Sequence, residues 1–153
     1  MTAKDIERAL RRHLGDLYIP EFTFGDQRID AIVISCHERT VRGFEIKVDR
    51  ADFLRDKKWQ TYSRFCSSLA LACPEGLVQK DEIPDPFGLL WVTPQGFVHW
   101  EKRSKNIASR DSLAWTWRYL EILEKEIPRL VANSRQEIEF RDSELKLERK
   151  VGT

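Results

Sequence analysis

The chain of 153 residues is long enough for one domain with its own hydrophobic core. Hydrophobic residues make up 41% and charged residues 33%, which points to a globular chain and away from the disordered class. The net charge of +1 excludes a whole-molecule basic field, so any anionic partner must be held by a local patch.

Residues 2–14 (TAKDIERALRRHL) set Ile6, Ala9, Leu10 and Leu14 on one side of a helix, and Gly15 can end it. Residues 18–27 read as extended chain or a turn. Residues 28–35 (RIDAIVIS) are β-branched and predict a strand. CHERT (36–40) is a short polar hairpin loop, and VRGFEIKV (41–48) is the second strand. Residues 49–69 predict one helix, with Asp49 as its N-cap and Asp52 in its first turn. ALAC (70–73) is a short buried strand closed by Pro74. The proline-bearing stretch 74–88 is a loop.

Residues 88–101 (GLLWVT, then PQG, then FVHWE) form a hairpin. KRSKNIASR (102–110) is a basic loop. Residues 111–127 predict a helix with Leu113, Trp117, Leu120 and Ile127 on one side, which Pro128 ends or kinks. In the tail, Ile138, Phe140, Leu145 and Leu147 alternate as in a hairpin, while the composition favours helix; both remain open. The order implies an α/β (or α+β) protein, with a mixed β-sheet flanked by helices. A domain over 1–133 and a charged C-terminal extension over 134–153 are expected.

Three cysteines with no CxxC pair point to reduced thiols in a cytoplasmic protein. The three histidines lack zinc-site spacing. The N-terminus lacks the apolar run of a signal peptide, and no stretch is long enough to span a membrane.

The second strand carries the feature that needs a chemical explanation. Phe44, Ile46 and Val48 point one way, and Gly43, Glu45 and Lys47 the other. If the two strands pair, Asp30 of the first can meet Glu45. Unpaired buried carboxylates are costly, so buried charges are paired or bind metal. Asp30, Glu45 and the backbone carbonyl of Ile46 form an oxygen-rich set suited to Mg2+ or Mn2+. A water on such an ion is acidified and can attack phosphorus, and Lys47 would face the same cavity and offset developing charge. A half-exposed strand with a solvated Glu45–Lys47 face, and Asp30 at a turn, explains the same spacing.

An acid near the start of one strand, E-x-K on the next and then a helix resembles the PD-(D/E)xK nuclease superfamily. The run from 43 to 74 is more specific. Glu45–Val48, Arg50–Phe53, Lys58 with Trp59, Tyr62 and the strand ending at Pro74 resemble the MmcB-type family of that superfamily, described as DNA-repair proteins. The likeness covers roughly residues 14 to 101. It implies a restriction-endonuclease-like core and metal-dependent hydrolysis of DNA phosphodiester bonds, with Asp30, Glu45 and Lys47 as the catalytic residues. Ile29 stands where the superfamily pattern begins with proline.

The resemblance also suggests Lys58 and Tyr62, on the buried stripe of the following helix, as phosphate contacts. Arg50 lies in the matched run and joins them as a substrate-binding candidate. Lys102, Arg103 and Lys105 are candidates for touching the DNA backbone if they line one groove. Relatives that carry an acid on the first helix as an extra metal ligand make Glu7 a further candidate. Solvent or core packing explains each of these residues as well. Trp91, Trp100, Trp115 and Trp117 suggest a core between sheet and last helix, and Trp59 a core position. DNA is the expected partner, with a homodimer or a repair or replication protein as further partners. A non-catalytic nucleic-acid-binding module or a partner-dependent subunit is the rival reading.

Overall fold

A computed structural model describes residues 1–14, 17–24, 26–35, 38, 40–107 and 112–152. The chain divides into two compact units, Met1–Asp111 and Ser112–Thr153. The boundary thus falls at 111/112, ahead of the expected 133/134, because the last helix begins a unit of its own.

The first unit is a six-stranded mixed sheet with helical segments on its two faces. In chain order it contains α1 (Ala3–Leu14), β1 (Leu17–Phe24), β2 (Gln27–Ser35), β3 (Thr40–Ile46), α2 (Arg50–Arg55), a 3₁₀ segment (Lys58–Phe65), β4 (Ser68–Pro74), β5 (Gly88–Val92) and β6 (Val98–Lys102). The strands lie side by side in sequence order. β1–β2, β2–β3 and β5–β6 are antiparallel, whereas β3–β4 and β4–β5 are parallel. Parallel neighbours need a crossover. α2 and the 3₁₀ segment supply the first, and residues 75–87 the second.

The stretch expected as extended chain or a turn forms β1, because its apolar positions pair with β2, Tyr18 opposite Val33 and Phe22 opposite Ile29. α1 buries Ile6, Ala9, Leu10 and Leu14 against Tyr18, Ala31, Val33, Phe44, Ala70, Ala72 and Leu90. Alternation along β3 thus sends Phe44 and Ile46 toward α1 and Gly43, Glu45 and Lys47 to the opposite face. There Gly43 allows close approach: a Cβ would lie 2.5 Å from Cys66 Sγ and 2.7 Å from Ile29 Cδ1. Cys66 and Cys73 are buried free thiols, each pushed up to about 12 by burial, which suits inert core positions.

The single helix expected over 49–69 is broken. Asp49 caps α2 as expected, its side chain accepting from the Asp52 N–H at 3.0 Å. The helix then stops at Asp56, whose carboxylate takes the Lys58 N–H at 2.9 Å and so competes with helical hydrogen bonding. The break shifts the helical phase of the residues beyond it. Phe53 and Trp59 are buried, while Leu54 is exposed, and so is Lys58, which was expected on the buried stripe. Trp59 is 1% exposed and packs edge-on against Phe87.

The 88–101 hairpin forms as expected, with Gly96 at φ +85 in its turn. Its register separates two tryptophans expected in one cluster. Trp100 lies opposite Leu90 and Trp91 opposite His99, so they occupy alternate faces. Trp100 packs on the α1-side core, while the Trp91 indole N–H donates to the Val78 carbonyl at 2.9 Å. The side chains of Trp115 and Trp117 lie outside the described residues.

The second unit is one helix, α3 (Ser112–Val151), which continues through Pro128 and includes the tail. Proline removes a single helical N–H, and the Glu-, Lys-, Arg- and Leu-rich tail has strong helix propensity. The hairpin alternative is thereby excluded, and Phe140, Leu145, Leu147 and Val151 are exposed along the helix. No helix among the described residues is long and apolar enough to cross a membrane.

Trp59→Ala is expected to cost about 3–5 kcal/mol in urea unfolding. A loss within about 0.5 kcal/mol, the range of surface substitutions, would contradict a core position for this indole.

Candidate active site

Three charged side chains converge where β2 and β3 separate. The β2–β3 ladder pairs Ala31 with Phe44, its last rung at this end. Beyond it the Ile46 N–H donates to Asp30 Oδ2 at 2.8 Å instead of to a strand carbonyl. On the other side of β2, the β1 ladder skips Glu21, which holds a left-handed φ of +50. A non-glycine residue there is uncommon and costs free energy, and such strain clusters at functional sites.

Glu45 and Lys47 are 5% and 6% exposed, so the solvated strand face considered from sequence is not what forms. Lys47 Nζ donates to Glu45 Oε1 at 3.3 Å and to Asp56 Oδ2 at 2.7 Å, and lies 3.6 Å from Asp52 Oδ2. The sequence reading does not place Asp52 and Asp56 in the site. The available signal is a run of acids at 49, 52 and 56 after Lys47; helix capping accounts for the first two and nothing for the third.

Three carboxyl groups therefore meet one ammonium, with Asp30 near enough to feel its charge, and the acids titrate accordingly. Glu45 is pushed up to about 7, first by burial and then by the nearby Asp30 charge, with Lys47 opposing. Burial also raises Asp30, against the Ile46 hydrogen bond and Lys47. Burial works against the Lys47 ammonium, but its bond to Asp56 and its attraction to Glu45 hold it above its ordinary value. Burial likewise opposes ionisation of Asp56, yet the Lys47 and backbone hydrogen bonds keep it below its usual range.

Glu45 Oε2 is buried and has no hydrogen-bond partner. A buried carboxylate oxygen without a donor is costly. Among the described residues, no group of three or more His, Cys, Asp and Glu side chains forms a metal cage. The fit to a cation rests on a smaller set: the unpartnered Glu45 oxygen, the neighbouring Asp30 carboxylate and the Ile46 backbone. That set suits a hard divalent ion that keeps several waters.

The outer candidates separate. Tyr62 is half-buried near the site; burial raises its phenol first, and the Glu45, Asp56 and Asp30 charges raise it further. Lys58 is exposed and meets the cluster through its backbone N–H on Asp56. Arg50 is committed elsewhere: it forms two hydrogen bonds with Glu82 and one with the Leu77 carbonyl, tying α2 to the β4–β5 loop. Lys102 bonds the Ile83 carbonyl and Asp85, and Lys105 also meets Asp85. Arg103 turns away and lies 5.0 Å from the Trp100 ring centroid. The single groove expected for 102, 103 and 105 does not form, because an aspartate brought close by the loop holds the two lysines. Glu7 forms an ion pair with Arg11 at 3.0 Å on α1. It reaches the neighbourhood of Asp30 only as a charge felt, like that of Asp30, by the buried Tyr18 hydroxyl.

No protein-family model matches this chain, and no curated protein matches it. A solved structure of a protein of unknown function from Silicibacter pomeroyi is similar to it, with a TM-score of 0.68 and 20% identity over 94% of each chain. At that identity the likeness shows a shared fold.

The raised Glu45 carboxyl has a consequence for stability in the absence of metal. The folded state holds this proton more tightly than the unfolded chain does, so the group's contribution is present below about pH 4.5 and lost as pH rises through about 7. Glu45→Gln is therefore expected to gain stability relative to wild type between about pH 5 and about pH 8, by up to about 3 kcal/mol. Urea unfolding in chelator at both pH values measures this. A difference independent of pH would refute the raised carboxyl.

Proposed function

We propose that this protein is a metal-dependent nuclease of the PD-(D/E)xK type that hydrolyses DNA phosphodiester bonds, in DNA repair or related processing. The observation that carries the reading is the buried, unpartnered Oε2 of Glu45 beside Asp30, with Lys47 fixed next to both. Asp30, Glu45 and the Ile46 carbonyl would hold Mg2+ or Mn2+. A bound ion supplies an acidified water and polarises a phosphoryl oxygen.

The chain's own groups have defined tasks in this reading. Lys47 stays an ammonium, so it acts as a donor and fixed cation, not as a base. Its bonds to Glu45 and Asp56 restrict its rotamers before substrate arrives, which is the preorganisation that charge stabilisation needs. The Asp30 carboxylate is oriented by the Ile46 N–H. The Tyr62 phenol keeps its proton and is a donor to a phosphate oxygen. Lys58, exposed at the site's rim, is a second phosphate contact. DNA is preferred to RNA on the family resemblance alone.

A second reading, a partner-dependent subunit of a DNA-processing complex, is favoured by the exposed apolar side chains of α3, with Phe140 64% and Leu147 62% exposed. It predicts that removing 134–153 leaves the first unit folded but inactive in its complex.

Purified protein incubated with single-stranded, duplex and branched DNA in Mg2+ or Mn2+ is expected to cleave at least one of them, and chelator to stop it. Glu45→Ala and Lys47→Ala, each confirmed as folded, are expected to lower the rate by about 10²-fold or more. Cleavage surviving both substitutions, or absent from every substrate, would overturn the nuclease.

Metal binding is read separately. At about pH 8, saturating Mn2+ is expected to raise the unfolding free energy of wild type by about 2–3 kcal/mol, and that of Glu45→Ala not at all. An equal rise in both proteins would move the ion elsewhere.

A further inference from the structure

The exposed apolar side chains of α3 fall into a pattern. Asn133, Gln136, Phe140, Ser143 and Leu147 follow one another at alternating steps of three and four residues, and Val151 lies one turn further on. At about 100° per residue these positions form one narrow stripe, with the spacing of a coiled-coil seam. All six are exposed, and the apolar ones are Phe140, Leu147 and Val151. A groove of about 450 Å³ runs along the stripe, lined by Asn133, Gln136, Phe140 and Arg141, all from α3. Ser143 needs no outside partner, because its hydroxyl donates to the Glu139 carbonyl at 2.8 Å. Leu145 lies on another side of the helix and takes no part.

An apolar row of this kind on a helix is normally covered by another element. The charges beside it indicate by what. Residues 137–144 carry four acids and one arginine, whereas residues 145–151 carry three bases and one glutamate. The segment is thus acidic in its first half and basic in its second. A second copy laid parallel to it sets acid beside acid and base beside base, which repels. Laid antiparallel, each half meets its opposite, so the surface is complementary to itself about a two-fold axis near residues 143 and 144. That axis brings Phe140 of each copy to Leu147 of the other. It also brings together Glu139 and Lys146, which lie on the same flank of the stripe. Glu144 meets its own copy near the axis, at the solvated rim where salt screens like charges.

We propose that α3 pairs through this stripe with α3 of a second copy, antiparallel, and that the full chain is a homodimer in solution. Leu147 of each copy enters the groove beside Phe140 of the other. The stripe belongs to the second unit alone, so the pairing needs neither metal nor nucleic acid and is independent of the chemistry at Glu45. A different protein on the stripe, as a partner-dependent subunit requires, leaves the chain monomeric by itself.

Sedimentation equilibrium of the full chain, in chelator and without nucleic acid, tests this. Wild type is expected to be a dimer, with its dissociation constant raised on the order of tenfold or more in Phe140→Ser and in Leu147→Ser. Both side chains are exposed, so far-UV circular dichroism is expected to stay that of wild type. Glu139→Lys sets lysine against Lys146 of the second copy and is expected to weaken the dimer. Adding Lys146→Glu restores opposite charges and is expected to recover it. Within one helix these two positions lie about 10 Å apart along the axis, so the recovery arises between copies. A monomer at every concentration would overturn the proposal and leave the stripe to a different protein. A dimer that both serine substitutions leave unchanged would overturn it too, as would a Glu139→Lys chain that associates more tightly, the result for a parallel pair facing Glu144.

Discussion

Burial of the Lys47 ammonium governs one face of this sheet. A lysine so far from solvent needs carboxylates around it, and Glu45, Asp56 and Asp52 supply them. The break after α2 belongs to the same arrangement. Asp56 accepts from Lys47 and from the Lys58 N–H, so the group that neutralises the buried cation also ends the helix and starts the 3₁₀ segment. That turn in turn delivers Trp59 to the core and Tyr62 to the edge of the charged cluster.

The acids outnumber the ammonium, and Glu45 bears the imbalance. Its second oxygen has no donor, and its proton is held to about pH 7. In the proposed nuclease this excess negative charge is what a divalent ion would offset. Strand alternation makes the arrangement compatible with a stable fold. β3 commits Phe44 and Ile46 to the α1-side core while Glu45 and Lys47 serve the other face. Gly43, without a side chain, lets Cys66, Ile29 and Leu69 close around the strand beside them.

Several cations that resemble nucleic-acid contacts when counted along the chain are structural ties. Arg50 fastens α2 to Glu82, and Asp85 gathers Lys102 and Lys105 onto the loop before β5. These bonds hold the long β4–β5 crossover, which has little regular structure of its own, against the sheet.

Features that depend on spacings of a few residues could be read directly from the chain. Period-two alternation in 28–35 and 41–48 identified β2 and β3 and the shared face of Asp30 and Glu45. The 3.6-residue period identified α1, and the PQG turn identified the β5–β6 hairpin. The mixed sheet with helices followed from the order of these elements. Contacts that depend on sheet geometry could not be read. Arg50 meets a glutamate 32 positions away, and Lys47 recruits Asp56 across a helix that local periodicity would have continued. Trp91 and Trp100 look like one cluster until the β5–β6 register puts them on opposite faces. Short-range pattern reflects backbone stereochemistry, which each segment carries with it. Which charges neutralise one another is set by distances of a few ångströms, and those exist only after the sheet has assembled.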